Sequence, residues 1–369
     1  MKAFLPALAL ALFNVLSAPF LGQVRNALLA RFPATFLKVL AVSLVVALAV
    51  VLALAVARIR EHRGWRYGGL LLVVALVALQ TFVLGRDIAD PTVALQVNLV
   101  EKLHFVQYGL LAFLLYRALR PAADISVPVR TLLGVAAAGT CEEWVQWFVP
   151  LRVGEVTDVG LNLYAGLCGL IFAWALQPPS SWSWQWGGRW PATARLAALV
   201  VVLFGAFFHC AHLGYLVDDP EIGRFRSWFD RDTLLQVEAQ RAQRWAQAPP
   251  RLRALGREDH YLSAAAWHVS HRNHSYQIGD FFSAWKESQI LGRYFSPVLD
   301  LPPLRTGSPG FRLPPEQLQE IEQRHPRPDP YPYLSPVLAE RVFLRPTAGE
   351  LWLGVMVLAG LLLAFSRRR

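Results

Sequence analysis

The residues most able to do chemistry lie where lipid-like sequence surrounds them. Glu143 and Gln146 stand three apart, and Asp158 and Asn162 four apart, with Arg152 between the pairs. Upstream, Lys102, His104 and Tyr108 open another apolar run, and His209 and His212 close a third. At these spacings each pair shares one helix face. Two carboxylates beside a histidine can do acid–base work if burial separates their pKa values. Lysine, histidine and arginine suit an anionic or polar headgroup, and carboxamides suit its positioning. Three readings of Glu143, Arg152 and Asp158 therefore stand side by side: a structural ion-pair network, a ligand site and a catalytic site. No nucleophile motif, phosphate loop or zinc-peptidase helix is present in the sequence. His209 and His212 lack a recognised third ligand to complete a metal set with Glu143 or His104, so the expectation is no metal and no cofactor.

The elements that must hold these groups are long apolar segments. The chain has 369 residues and is 54% hydrophobic, above the roughly 45–50% of a soluble domain. The excess is concentrated near 4–21, 37–57, 68–85, 104–120, 130–149, 157–176, 196–216 and 349–366. Most of these windows reach the roughly 17–25 residues needed to cross a hydrocarbon core. The fold class expected is all-α: a polytopic transmembrane bundle of about eight spans. The number becomes about seven if the first segment is instead an interfacial helix or a signal peptide.

Charge placement orients the bundle. The net charge is +10, yet 217–348 is nearly balanced, so the excess belongs to the membrane helices and not to a nucleic-acid surface. Arg58, Arg60, Arg63, Arg66, Arg117, Arg120, Arg130, Arg189, Arg195 and Arg367 to Arg369 fall on one side, and only Arg25, Arg31, Lys38, Arg86, Lys102 and Arg152 on the other. By the positive-inside rule both termini are cytoplasmic and 217–348 is external. Trp182, Trp184, Trp186 and Trp190 fit a cytoplasmic aromatic belt. Cys141, Cys168 and Cys210 lie inside spans, which leaves the external block without a disulfide framework.

Five segments follow: N-terminal helices over 1–66, a membrane domain over 67–176, a Trp-rich loop and helix over 177–216, an external helical and proline-rich domain over 217–348, and a last span with a basic tail over 349–369. Within the external domain, helical spacing of Trp228, Leu235, Ala239, Ala242 and Ala246 predicts one helix ending at Pro249-Pro250. A helical hairpin breaks at Gly279-Asp280, and a short helix covers 314–323 amid prolines. His268, His271 and His274, with His260 nearby, read as a solvated helix face.

Taken together, Lys102-x-His104-x-x-x-Tyr108, Glu143-x-x-Gln146, Arg152, Asp158-x-x-x-Asn162-x-x-Ala165 and Gly169 resemble the signature of the VanZ-like family of bacterial membrane proteins, with Ala165 at a common glycine position. The likeness covers about 70–176. It implies a place in the bacterial cell envelope, in the cytoplasmic (inner) membrane, and supplies no reaction. The expected function is binding or handling of an envelope-associated amphiphile or its polar headgroup at the outer leaflet, with membrane lipids or a lipid-linked precursor as partners. Alternatives are an intramembrane hydrolase or transferase using His104 with Glu143 or Asp158, and a non-catalytic scaffold whose external domain recruits an envelope protein.

Overall fold

The computed structural model describes residues 2–83, 91–149, 152–237, 239–247, 259–302, 310–326 and 332–367. Arg86, Pro249-Pro250, Arg368 and Arg369 lie outside the described residues. Long apolar runs give helices α1 (Leu5–Arg31), α2 (Pro33–Arg58), α3 (Arg63–Phe82), α4 (Pro91–Leu119), α5 (Ser126–Trp147), α6 (Val156–Leu176) and α7 (Trp190–His212). A hairpin of β1 (Tyr215–Asp219) and β2 (Gly223–Ser227) follows, then α8 (Arg231–Leu235), α9 (Ala239–Trp245), α10 (His260–Gln277), α11 (Phe281–Tyr294), α12 (Pro315–Arg324) and α13 (Ala348–Ser366). Among the described residues, six helices are long and apolar enough to cross a membrane: those spanning Lys2–Leu21, Thr35–Arg58, Arg63–Phe82, Val156–Leu176, Trp190–His212 and Ala348–Ser366. The remaining long helices, α4 and α5, carry more polar residues.

The chain divides into two units. The first comprises Met1–Gln146, Gly154–Ala206 and Leu353–Arg369. Its lipid-like character shows in what it exposes. Val42, Val45, Val51 and Leu54 of α2, and Leu353, Met356 and Leu361 of α13, are all exposed. Water would penalise such surfaces at about 25 cal/mol per Å², whereas hydrocarbon does not.

Small residues set the core of this unit. A Cβ built on Gly169 of α6 would stand 2.2 Å from the Gly109 carbonyl oxygen of α4, so the two backbones touch. Ala7, Leu10 and Ala11 of α1 pack with Tyr108, Leu111 and Ala112 of α4, and with Val135, Ala138 and Ala165. On its opposite side α6 meets α3, where the Tyr164 hydroxyl donates to the Leu76 carbonyl at 2.8 Å. Arg66, itself buried, closes the end of α6: its Nε donates to the Ala175 carbonyl and its Nη2 to the Leu176 carbonyl, each at 2.7 Å. Those carbonyls have no helical partner of their own.

The second unit comprises Trp147–Val153 and Phe207–Trp352. The hairpin pairs Tyr215 with Ser227 through Asp219 with Gly223. Asp219 builds the turn by accepting the backbone N–H groups of Glu221 and Ile222 at 3.0 and 3.1 Å. Gly223 has φ +121°, and a Cβ there would meet the Tyr333 carbonyl oxygen at 2.6 Å. Burial alone would raise the Asp219 carboxyl. Hydrogen bonds from Tyr294, Arg293 and the turn backbone overcome it and hold the group well below the ordinary carboxylate range.

Two helices behave as their local sequence dictates. Gly279, at φ +80°, ends α10, and the Asp280 carboxylate accepts the Ser283 N–H at 3.1 Å to start α11. The segment expected as one helix to Pro249-Pro250 is instead broken into α8 and α9. There Leu234 is buried and Leu235 exposed, and the fully buried anchor is Trp245. Its indole donates to Asp259 at 2.6 Å, while Arg244 pairs with the same carboxylate. The β-hairpin was not expected either; Val217, Asp219, Phe225 and Ser227 alternate inward at the strand period.

Candidate functional site

The first unit gathers most of the anticipated polar residues on α4, α5 and α6. On α4, His104 is half-buried and Tyr108 fully buried. They are four apart, and their rings lie nearly parallel with centroids 6.3 Å apart. His104 Nδ1 lies 2.6 Å from Asn162 Oδ1 on α6. A carbonyl oxygen only accepts, so with this amide orientation Nδ1 carries the proton. In a neutral ring with that tautomer, Nε2 is an acceptor.

Tyr108 donates its hydroxyl to Glu142 Oε2 on α5. Gln146 Nε2, one turn on, donates to both carboxylates, to Glu143 Oε1 at 3.1 Å and Glu142 Oε1 at 3.4 Å. Glu143 Oε2 accepts the Glu155 backbone N–H at 3.2 Å, just before α6 begins. The result is a polar chain from α4 through α5 to the mouth of α6. Glu142, Glu143, Gln146 and Asn162 are all buried within it. A carboxylate at such depth costs several kcal/mol unless it is paired or hydrogen-bonded, and every link answers that cost.

The backbone approach that permits this chain is again small-residue packing. A Cβ on Gly139 would sit 3.1 Å from both Asn162 Cβ and Nδ2, so Asn162 lies directly against α5. Asp158 is half-buried in the first turn of α6, where the helix dipole favours an acid.

Lys102 points elsewhere. Its ammonium donates to Gln80 Oε1 on α3, and Gln80 Nε2 donates to Glu101 Oε2 at 3.0 Å. This second cluster joins α3 to α4, with Gln80 and Glu101 buried. Arg152 belongs to the second unit, where its N–H donates to the Val149 carbonyl at 3.0 Å. His209 and His212 belong there too. His212 Nδ1 lies 2.9 Å from the Arg341 carbonyl oxygen, and its ring is enclosed by Phe207, Phe208 and Phe343. The His209 ring lies 6.1 Å from that of Trp352. Among the described residues no group of three or more His, Cys, Asp or Glu is arranged to hold a metal.

Three participants escaped sequence reasoning. Glu142 was overshadowed by Glu143, although its i, i+4 relation to Gln146 was available. Gln80 is a lone amide in an apolar run, which was signal enough. Glu101 is adjacent to Lys102 and reads as an ordinary charge. Asn14 of α1 is fully buried, and neither side-chain polar atom has a hydrogen-bond partner among the described residues; the same holds for Thr140 Oγ1 and Asn162 Nδ2.

The histidines of α10 correct another expectation. His274 is exposed and His271 half-buried, but His268 is fully buried, with Nδ1 2.5 Å from Glu287 Oε2. Tyr333 and Ser335 donate to Glu287 Oε1, each at 2.6 Å. Burial would raise the Glu287 carboxyl; the His268 charge and the bonds from His268, Ser335 and Tyr333 bring it below the usual value. His260 is also buried, stacked on Trp147 at 3.9 Å, with Nε2 2.8 Å from the Trp147 carbonyl oxygen. No family model, curated protein or solved structure matches this chain.

Proposed function

We propose that the chain is a VanZ-like protein of the bacterial cytoplasmic membrane that binds the polar headgroup of an envelope-associated amphiphile at the outer leaflet. In this reading α4 and α5 cross the membrane alongside the six apolar helices, giving eight spans, and their polar residues face the bundle interior. Both termini are cytoplasmic and 217–348 is external, in keeping with the arginine distribution. His104 and Asp158, both half-buried, meet the headgroup. Tyr108, Glu142, Glu143, Gln146 and Asn162 hold them in place.

The observation that carries the reading is the 2.6 Å contact between His104 Nδ1 and Asn162 Oδ1. With Nδ1 protonated, the other nitrogen of the neutral imidazole can accept from a hydroxyl or ammonium group. Purely structural networks do not require a half-buried histidine held in one tautomer. Asn162 Nδ2 on α6 and Thr140 Oγ1 on α5, buried without partners among the described residues, add donors. The test replaces His104 with alanine and measures membrane abundance beside sensitivity to envelope-active antibiotics. Normal abundance with altered sensitivity is expected. Unchanged sensitivity at normal abundance, or loss of the protein from the membrane with both His104→Ala and His104→Gln, overturns the proposal.

A further inference from the structure

A second site lies at the other end of α4. An open cavity of about 790 Å³ is lined by Arg58, Phe113, Arg117, Arg120, Pro121, Leu176 and Gln177. Arg117 lies thirteen residues beyond His104, which is about 20 Å along the helix at about 1.5 Å per residue. This cavity is therefore separate from the site above.

Its lining combines cationic and apolar side chains. Phe113, Arg117 and Arg120 follow at spacings of four and three, so they line one face, with the aromatic ring a turn deeper than the first guanidinium. Arg58 arrives from the last residue of α2, and Leu176 with Gln177 from the end of α6. Arg120 is partly engaged, donating to Gln177 Oε1 at 3.4 Å. No carboxylate lines the cavity, and among the described residues none of the three arginines forms an ion pair.

The ordinary explanation for arginines here is compensation of helix C-termini. Each terminus carries only about half a negative charge. Three full positive charges against the ends of α2, α4 and α6, with Arg66 already on the α6 carbonyls, leave a surplus of at least about +1.5. An anion of one to two charges neutralises it. Guanidinium forks match phosphate oxygens geometrically, and basic pockets between membrane helices suit anionic lipid headgroups. The apolar floor of Phe113 and Leu176 favours a lipid over free phosphate, because it gives the first acyl carbons a surface to cover.

We infer that this cavity binds the phosphate headgroup of an anionic membrane lipid, with Arg58, Arg117 and Arg120 on the phosphate and Phe113 with Leu176 beneath it. The test is native mass spectrometry of the full-length protein in neutral detergent, titrated with phosphatidylglycerol and with phosphatidylcholine of identical acyl chains. Preferential retention of phosphatidylglycerol is expected, falling about fivefold for each arginine changed to glutamine. Arg195→Gln, an exposed arginine outside the cavity, leaves the preference intact. Equal retention of both lipids by the unaltered protein overturns the inference, as does a preference that survives Arg117→Gln with Arg58→Gln. Glycerol 3-phosphate competing as well as the whole lipid also overturns it, because the ligand is then a soluble phosphate.

Discussion

Replacing Gly169 with alanine tests the contact on which the α4–α6 pair depends. The added Cβ would stand 2.2 Å from the Gly109 carbonyl oxygen, 2.5 Å from its Cα and 2.7 Å from its carbonyl carbon. All three are backbone atoms, so no rotamer change relieves the clash. Reaching even 3.0 Å requires about 0.8 Å of helix separation, at a crossing where axes normally lie about 8–10 Å apart. Overpacking of this kind costs about 1–3 kcal/mol, while alanine regains about 0.5–1 kcal/mol of helix propensity over glycine. The net expectation is a loss of up to about 2.5 kcal/mol. Gly160 lies on the same helix with nothing within 4 Å of its Cβ position, so Gly160→Ala gains the propensity term alone. Thermal unfolding in detergent, followed by tryptophan fluorescence, should place Gly169→Ala below the unaltered protein and Gly160→Ala at or above it. Equal stability of the two variants refutes the close approach, and with it the positioning of His104 against Asn162.

Two further outcomes concern termini and charge. Arg66→Gln removes two charged hydrogen bonds from the last carbonyls of α6, each worth about 1.5–3 kcal/mol. A lowered melting temperature that Arg66→Lys only partly restores is expected; full restoration by lysine would deny the forked geometry. In the second unit, Asp219 and Glu287 both have folded pKa values below their ordinary ones. Their contribution is therefore complete above the unfolded carboxylate range and is lost as pH falls through the folded values. Melting temperature should drop on acidification below about pH 4.5, and the drop should shrink in Asp219→Asn; an unchanged acid slope in that variant counts against the assignment.

How much of this was legible depends on how local each signal is. The break between α10 and α11 could be read because Gly279 and Asp280 solve it within four residues, one by left-handed backbone and the other by a cap. Membrane-length helices could be read because length and composition alone define them. The partner of Tyr108 could not, since Glu142 lies 34 residues away and α5 has no apolar stripe to say which of two adjacent glutamates turns toward α4. Arg152 lies between the two polar pairs in sequence, and it falls in the second unit. His268 misled for the opposite reason. A three-residue repeat drifts around a helix of 3.6 residues per turn, so His268, His271 and His274 pass from buried to exposed instead of sharing one face.

The same drift argument explains why the α4–α6 site concentrates where it does. Gly109 and Gly169 bring two backbones together, and seven residues before Gly169, two turns along α6, comes Asn162 on the same stripe. His104 stands five residues before Gly109, also toward the mouth of the bundle. A close crossing leaves room for short polar links only, and the 2.6 Å contact of His104 with Asn162 is such a link. Larger residues at the crossing would widen the gap beyond direct hydrogen bonding, leaving Asn162 buried with neither of its amide ends satisfied. The glycines and the polar residues are thus one requirement expressed twice. Substituting the amide alone, as in Asn162→Leu, should keep the helices paired while freeing His104 to rotate, and that separation of packing from polarity distinguishes a positioned site from a structural seam.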